Sequence, residues 1–125
     1  MGMKQEPVKT VDAAGTQEWH VNGLLHRLDG PARIWPSGSQ EWHVNGLLHR
    51  LDGPARIWPS GSQEWWVAGQ WHRLDGPAVI SAAGSQEWWV AGQPITDQVE
   101  AWMQTQAVVW PWDDQTQMQF QLTWG

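Results

Sequence analysis

The chain of 125 residues predicts a mainly β fold, an elongated antiparallel sheet made of successive hairpins. Three observations predict it: a repeat of 23 residues, an Asn-Gly pair inside each of the first two repeats, and short runs in which apolar and polar residues alternate. The segment after the last repeat departs from this pattern. It is predicted to form a cap of one short helix and a strand pair, because a repeat array must cover its last apolar face.

The repeats span residues 18–40, 41–63 and 64–86, and residues 87–93 begin a fourth. The first two are identical, so that the segment from Asn22 to Trp42 returns unchanged from Asn45 to Trp65. Residues 1–10 are expected to be a flexible tail, residues 11–93 the repeat region and residues 94–125 the cap.

Each hairpin is predicted from its turn. Asn22-Gly23 favours a type I′ turn, because both of its central residues need a positive φ. The resulting register opposes four pairs of residues: Val21/Leu24, His20/Leu25, Trp19/His26 and Glu18/Arg27. Three ion pairs are expected from it: Glu18/Arg27, Glu41/Arg50 and Glu64/Arg73. Since opposed residues share a face, one face is expected to form the core, and it carries Trp19, Val21, Leu24 and His26.

A third short strand follows the Asp-Gly-Pro turn of each repeat. It runs from Ala32 to Trp35, with Ile34 expected in the core and Trp35 nearer the surface. Trp35 and Trp58 are therefore candidate contact residues for a partner.

The cap is predicted from its own periodicity. Thr96 is the expected N-cap of a helix that ends near Gln106, and an apolar stripe along that helix comprises Val99, Trp102 and Met103. Residues 107–110 and 117–122 alternate in the manner of strands and predict the final strand pair.

Charge is distributed unevenly along the chain, which carries a net charge of −6. Both lysines lie in the tail, all five arginines lie between Arg27 and Arg73, and no basic residue follows. Generic nucleic-acid binding is not expected, because it requires a basic stripe. The acidic cap instead favours docking to a basic protein, the alternative being that its carboxylates only keep the chain soluble. Its candidate docking residues are Asp97, Glu100, Asp113 and Asp114.

Composition also bears on compartment. The chain has no cysteine, no apolar leader at its N-terminus and no window that could span a membrane. The expected location is the cytoplasm.

The repeat resembles the MORN family. The segment W-x-V-N-G-L-L-H-R-L-D-G-P-A is similar to the Y-x-G…N-G…H-G-x-G pattern of that family, and more so to bacterial and phage relatives with an H-R-x-D-G-P-A core. The resemblance covers residues 12–92 and implies elongated sheets that serve as scaffolds or protein-interaction modules. Some bacterial relatives carry an antitoxin label, and lipid binding has been proposed for eukaryotic members. Because His-Arg-Leu-Asp-Gly-Pro replaces the His-Gly-x-Gly segment, a binding role tied to that loop does not carry over.

The repeated histidines and aspartates are interpreted as structural. Equivalent residues of neighbouring units lie two strands apart, roughly 9.6 Å, so His26, His49 and His72 cannot share a metal ion. Catalysis concentrates in one cleft of differentiated groups, whereas this chain repeats one cell. Neither enzymatic activity, nor a metal, nor a cofactor is expected.

Binding is expected where the repetition fails. In the third unit Trp66 and Trp71 replace His20 and Leu25 as an opposed pair, and Trp89 follows at the same position. These indoles are expected to form an apolar patch beside Arg73, since Trp and Arg are frequent interface hot spots. Three alternatives remain: the helix of the cap covers the patch; Trp and Arg hold a small aromatic or nucleotide ligand; or the chain is purely a scaffold. Open sheet edges also leave room for a homodimer.

Overall fold

The first strand begins inside the segment expected to be a flexible tail. The computed structural model describes residues 6–125. Strand β1 (Val8–Val11) pairs antiparallel with β2 (Gln17–Val21), from Val8 opposite His20 to Val11 opposite Gln17. The Asp12 carboxylate accepts the N–H groups of Ala14 and Thr16 and closes the turn between them. The expected flexible tail is therefore wrong for residues 8–10; for residues 1–5 it lies outside the described residues.

Short strands then recur along the repeats. They are β3 (Leu24–Leu25), β4 (Arg33–Ile34), β5 (Gln40–Glu41), β6 (His43–Val44), β7 (Leu47–Leu48), β8 (Arg56–Ile57), β9 (Gln63–Glu64), β10 (Trp66–Val67), β11 (Gln70–Trp71), β12 (Val79–Ile80), β13 (Gln86–Glu87), β14 (Trp89–Val90) and β15 (Gln93–Pro94).

These strands form one long antiparallel sheet with hairpins attached to it. Within residues 6–125, nine strands belong to the sheet, in the order β1-β2-β4-β5-β8-β9-β12-β13 with β3 paired to β2. The pairs β6-β7, β10-β11 and β14-β15 are separate two-stranded hairpins. The predicted mainly β, hairpin-based antiparallel sheet is confirmed.

The predicted hairpin register is correct near the turn and wrong at its far end. Val21 pairs with Leu24 and His20 with Leu25, and the turn residue Asn22 has a φ of 52°. Glu18, however, pairs with Arg33 of β4 rather than with Arg27, so the three predicted ion pairs are not formed.

The hairpin pairing ends at the tryptophan that is the second residue of each unit. Trp42 donates its N–H to Ala55 O of the main sheet, whereas its carbonyl accepts the N–H of His49 in the hairpin. The chain therefore leaves the sheet for the hairpin at this residue, and the pairing partner changes there.

Consecutive hairpins are hydrogen-bonded side by side. Gly46 N–H donates to Leu25 O at 2.9 Å, and Arg27 N–H donates to His43 O at 3.1 Å. In addition, His26 Nδ1 accepts the turn N–H of Asn45 at 3.0 Å. The same three bonds recur between later units, so each hairpin positions the next one.

The repeats bury mainly small residues, together with Glu41 and His43 in the second unit and Trp88 at the start of the fourth. Ala32, Ala55 and Ala78 are fully buried. The predicted core residues Trp19, Val21, His26 and Ile34 are only half-buried, and Leu24 is exposed. Trp35 and Ile34 are both half-buried, so the predicted contrast between a buried Ile34 and a more exposed Trp35 is absent. The expected core face is therefore wrong: Trp19, for example, packs against the Arg27 guanidinium at 3.9 Å rather than within an apolar core.

The cap begins with the predicted helix. Helix α1 runs over Thr96–Gln106 and ends at the predicted residue. Its N-cap is Ile95 rather than Thr96, because the Thr96 hydroxyl accepts the backbone N–H of Trp88 at 3.1 Å instead of capping the helix.

A second helix replaces the predicted strand pair. Helix α2 runs over Asp114–Trp124, and Asp113 caps it by accepting the N–H of Thr116 at 2.8 Å. The alternation of residues 117–122 indicated strands wrongly: the helix buries Phe120 and leaves Met118 and Leu122 exposed.

The two helices pack against the end of the repeat region and form the large apolar core with it. Trp88, Ile95, Val99 and Phe120 are its buried members. Partly buried side chains packed against them are Leu74, Val90, Trp102, Met103, Trp110, Trp112 and Trp124. Among the described residues no helix has the length and apolar character needed to cross a membrane.

Candidate functional site

A row of alternating charges crosses the long sheet. We call the residues Glu18, Arg33, Glu41, Arg56 and Glu64 the charge ladder. Arg33 lies 2.7 Å from Glu18 and 3.6 Å from Glu41. Arg56 lies 3.1 Å from Glu41 and 3.5 Å from Glu64. Each arginine thus stands between the carboxylates of two adjacent units, on the strands that the pairing register brings together.

Each glutamate of this row also meets an aromatic ring two residues further on. The ring nitrogens of His43 and Trp66 lie 2.9 Å from Glu41 and Glu64, respectively. His20 Nε2 lies 3.5 Å from Glu18, and beyond the ladder Trp89 donates its indole N–H to Glu87 at 3.3 Å. The exchange of histidine for tryptophan in the third unit therefore keeps a nitrogen beside the carboxylate and adds aromatic surface.

Glu41 is the most enclosed carboxylate of the ladder. Burial alone would raise its pKa, but the hydrogen bond with His43 and the charges of Arg56, His43 and Arg33 outweigh it and hold the pKa below the ordinary value. The carboxylate is therefore ionised at neutral pH, as the ladder requires.

The structure brings three of the predicted contact residues together. The Trp66 and Trp71 rings lie 5.1 Å apart between centroids, and the Trp71 and Trp89 rings lie 4.6 Å apart. We call these three residues the indole patch. All three are half-buried, and the indole N–H of Trp71 is buried without an acceptor among the described residues.

Arg73 was predicted to lie beside this patch, but it packs elsewhere. Its guanidinium stacks on Trp65 at 3.8 Å and faces Trp110 at 5.2 Å, while Nε pairs with Asp75 at 2.7 Å. Arg27 and Arg50 stack on Trp19 and Trp42 in the same way. Sequence reasoning missed this stacking, although the constant spacing of Trp and Arg in each unit was a usable signal.

The apolar stripe of α1 packs elsewhere than on the indole patch. Val99, Trp102 and Met103 belong to the cluster around Trp88 and Phe120, which includes none of the three patch residues. The alternative in which this stripe covers the patch is therefore wrong.

Trp35 and Trp58 flank the charge ladder. Arg33 lies 5.3 Å from the Trp35 ring and Arg56 lies 4.7 Å from the Trp58 ring. Between the two indoles is an open pocket of about 220 Å³, with Glu41 and Arg56 in its lining.

The predicted acidic residues are divided between the two helices. Asp97 and Glu100 are exposed one turn apart on α1. Asp114 is exposed in the first turn of α2, and Asp113 is its N-cap. The hydrogen bonds from Thr116 hold the pKa of Asp113 below its ordinary value, so this carboxylate has a structural role in addition to its charge.

Larger grooves lie between the Leu-Asp-Gly-Pro loops of consecutive units. One of about 690 Å³ is lined in part by Arg27, Trp42 and His49, and one of about 620 Å³ in part by Arg50, Trp65 and His72. No group of three or more His, Cys, Asp or Glu side chains within residues 6–125 has the arrangement of a metal site.

Comparison with known proteins returns no relative. No family model, curated protein or solved structure matches the chain.

Proposed function

We propose that the chain is a non-enzymatic interaction protein that binds a protein partner of basic character through the indole patch and the neighbouring carboxylates. The observation that carries this proposal is the run of three half-exposed indoles, with centroid spacings of 5.1 and 4.6 Å, beside the exposed carboxylate of Glu87. Indoles provide large contact area at low conformational cost, and interface hot spots are enriched in them.

Charge supports a basic partner. The net charge is −6, and the helices of the cap present Asp97, Glu100 and Asp114 to solvent. Complementary charge accelerates association and selects against acidic partners, whereas the buried indole contacts provide most of the affinity.

The repeat pattern supports the biological setting that we propose. The resemblance to bacterial and phage MORN-like sequences rests on the W-x-V-N-G and H-R-L-D-G-P-A segments. Within that setting, a small acidic binding protein would act as an antitoxin or inhibitor by covering a basic protein.

The test exploits the natural variation between units. The variant Trp66→His/Trp71→Leu gives the third hairpin the residues that His43 and Leu48 supply in the second, so we expect it to fold. Tagged wild-type protein, this variant and the control Leu51→Ala, which changes a leucine that is 81% exposed, are compared as baits in bacterial lysate.

The expected result is a basic protein that wild type and Leu51→Ala capture and that Trp66→His/Trp71→Leu does not. Capture should weaken as salt rises from about 0.1 to 1 M, because screening shortens the range of charge attraction. Equal capture by all three baits, or capture of no protein by wild type, would count against the proposal.

A second candidate is supported by the grooves between units. Their volumes of about 690 and 620 Å³ fall within the range of small-molecule sites, and each contains an indole and at least one guanidinium. A ligand-sequestering protein would then hold an anionic aromatic molecule there. Denaturing the purified protein and measuring the ultraviolet absorbance of the released small molecules tests this candidate; a spectrum without ligand absorbance contradicts it.

A further inference from the structure

The third interval between units, residues 79–86, differs from the first two at four side chains: Val79, Ser81, Ala82 and Ala83. Val79 and Ser81 are the two that bear on the charge ladder. Val79 of β12 stands where Arg33 and Arg56 stand in the earlier units, and Ser81 stands where Trp35 and Trp58 stand. The backbone is unchanged, because Val79 pairs with Glu64 on one side and with Glu87 on the other, as Arg56 pairs with Glu41 and Glu64.

In the first two intervals a guanidinium lies between two carboxylates. Arg33 contacts Glu18 and Glu41, and Arg56 contacts Glu41 and Glu64, at distances from 2.7 to 3.6 Å. The indole two residues further along the chain lies near each guanidinium, 5.3 Å away at Trp35 and 4.7 Å away at Trp58. Two carboxylates one interval apart, with a Trp beside them, are therefore a guanidinium-binding arrangement that this chain builds twice.

In the third interval, no guanidinium among residues 6–125 lies between the corresponding carboxylates, Glu64 and Glu87. A pocket of about 300 Å³ beside this position is lined in part by Glu64, Val79 and Trp58, and Glu87 lies outside its lining. It corresponds to the pocket of about 220 Å³ that Glu41 and Arg56 help to line in the second interval. Glu64 is ion-paired with Arg56 on one side only, and Glu87 has no ion pair among residues 6–125. Trp66 and Trp89 donate to these two carboxylates and orient them.

We propose that the position at Val79, between Glu64 and Glu87 and beside this pocket, binds an arginine side chain of the protein partner, which would extend the charge ladder from Glu64 to Glu87. The inference rests on the proposed function, since it supplies the recognised residue of the basic partner. A guanidinium has five N–H donors in a planar fork and can bridge two carboxylates while stacking on an indole. A lysine ammonium carries the charge without that planar fork, so it fits the pocket less well.

The test uses a defined probe rather than an unknown partner. Acetyl-Gly-Arg-Gly-amide is titrated into the protein, and the indole ¹H–¹⁵N signals of Trp66, Trp89 and Trp58 report binding. The matching peptide with citrulline, which is neutral and has nearly the same shape, is the ligand control. We expect the citrulline peptide to bind at least about tenfold more weakly, because charge-assisted hydrogen bonds contribute more than neutral ones.

Two variants locate the site. Val79→Arg/Ser81→Trp reproduces the arginine and tryptophan of the second interval and should weaken binding of the arginine peptide by at least about tenfold, and Glu87→Gln should also weaken it. Glu87 is exposed, so the second variant stays informative if the first one folds poorly. Equal affinities for the arginine and citrulline peptides, or unchanged arginine affinity in Glu87→Gln, would overturn the inference.

The outcome is separable from that of the proposed function. If capture of a lysate partner depends on the indole patch but the arginine peptide binds Val79→Arg/Ser81→Trp as tightly as wild type, the pocket proposal fails and the interaction role stands. If the peptide binds and both variants weaken it while no lysate protein is captured, the pocket proposal is supported and the interaction role is contradicted.

Discussion

Arg33 donates from Nε to the carboxylate of Glu18 at 2.7 Å, across the neighbouring strands β4 and β2. The pair joins residues 15 positions apart in sequence, and it is the first link of the charge ladder. Because the next carboxylate, Glu41, has an arginine on each side, the links are not equivalent. Their contributions to stability should therefore increase with the number of cationic neighbours.

Glu41→Gln should destabilise the protein more than Glu18→Gln. The Glu41 side chain is 11% exposed and loses attraction to Arg33 and Arg56 in this variant, so we expect a loss of about 2 kcal/mol in the free energy of unfolding. The Glu18 side chain is 28% exposed and pairs with one arginine, so its loss should be about 0.5–1 kcal/mol. Urea unfolding of both variants measures this difference, and equal losses would contradict the ladder as a graded network.

Acid should weaken the protein through the same residue. The pKa of Glu41 is lower in the folded chain than its ordinary value of 4.5. Its contribution is therefore complete above that value and is lost as the pH falls through the lowered folded-state pKa. Thermal unfolding between pH 5 and pH 2 should show a smaller pH dependence in Glu41→Gln than in wild type. An unchanged pH dependence would exclude Glu41 as a source of the acid sensitivity.

The third and fourth turns carry a backbone cost that the first two avoid. Asn45 adopts a φ of 51° and Ala68 adopts 49° at the same turn position. Asparagine tolerates this left-handed conformation better than alanine does. Ala68→Asn should raise the free energy of unfolding by about 1 kcal/mol, and Asn45→Ala should lower it by a similar amount. Chemical denaturation of the two variants gives both values; a loss of stability in Ala68→Asn would contradict the argument.

The hydrogen bond that His72 makes between two hairpins should respond to pH. His72 Nδ1 accepts the backbone N–H of Ala91 at 2.9 Å, which requires that nitrogen to be unprotonated. Burial lowers the pKa of His72 below its ordinary value of 6.5. The link is therefore fully present above pH 6.5, and its contribution is lost as the pH falls through the folded-state pKa.

The variant His72→Asn separates this link from those of the other histidines, since the asparagine oxygen can accept the same N–H and does not titrate. Stability should fall less between pH 7.5 and pH 5 in His72→Asn than in wild type. Comparing the two slopes cancels contributions of the distant titrating groups. Parallel slopes would show that His72 does not couple to folding.

The parts of the fold that depend on local signals could be predicted from the sequence. The Asn-Gly turns specify the register of the first two hairpins, and the repeat period specifies that hairpins follow one another. The end of the hairpin pairing could not be predicted, because no residue type marks the change of partner at Trp42. Helix α2 was missed because its alternating Gln and apolar residues fit the period of a strand as well as that of a helix. Only the N-cap at Asp113 distinguishes the helix from the strand.

The candidate site likewise has one part that the sequence could predict and one that it could not. The opposition of Trp66 and Trp71 followed from the turn and is observed. The pocket at Val79 was not foreseen, because it depends on the pairing of β12 with both β9 and β13 across loops whose length the sequence leaves open. The sequence differences between units could have indicated this position. The replacement of arginine, present at Arg56, by Val79 one unit later is the difference that changes the charge.

Phe120 should matter more to the cap than any other residue of α2. It is fully buried, and its ring lies 4.9 Å from Trp112 and 5.1 Å from Trp124. Phe120→Ala should lower the free energy of unfolding by about 3–5 kcal/mol, because it leaves a cavity among aromatic rings. Leu122→Ala, at an exposed position of the same helix, should stay within about 0.5 kcal/mol of wild type. Hydrogen exchange would then show whether α2 opens while the hairpin amides stay protected, as expected if each repeat depends mainly on its neighbours. Simultaneous loss of protection in the first hairpins would contradict this division and indicate one cooperative unit.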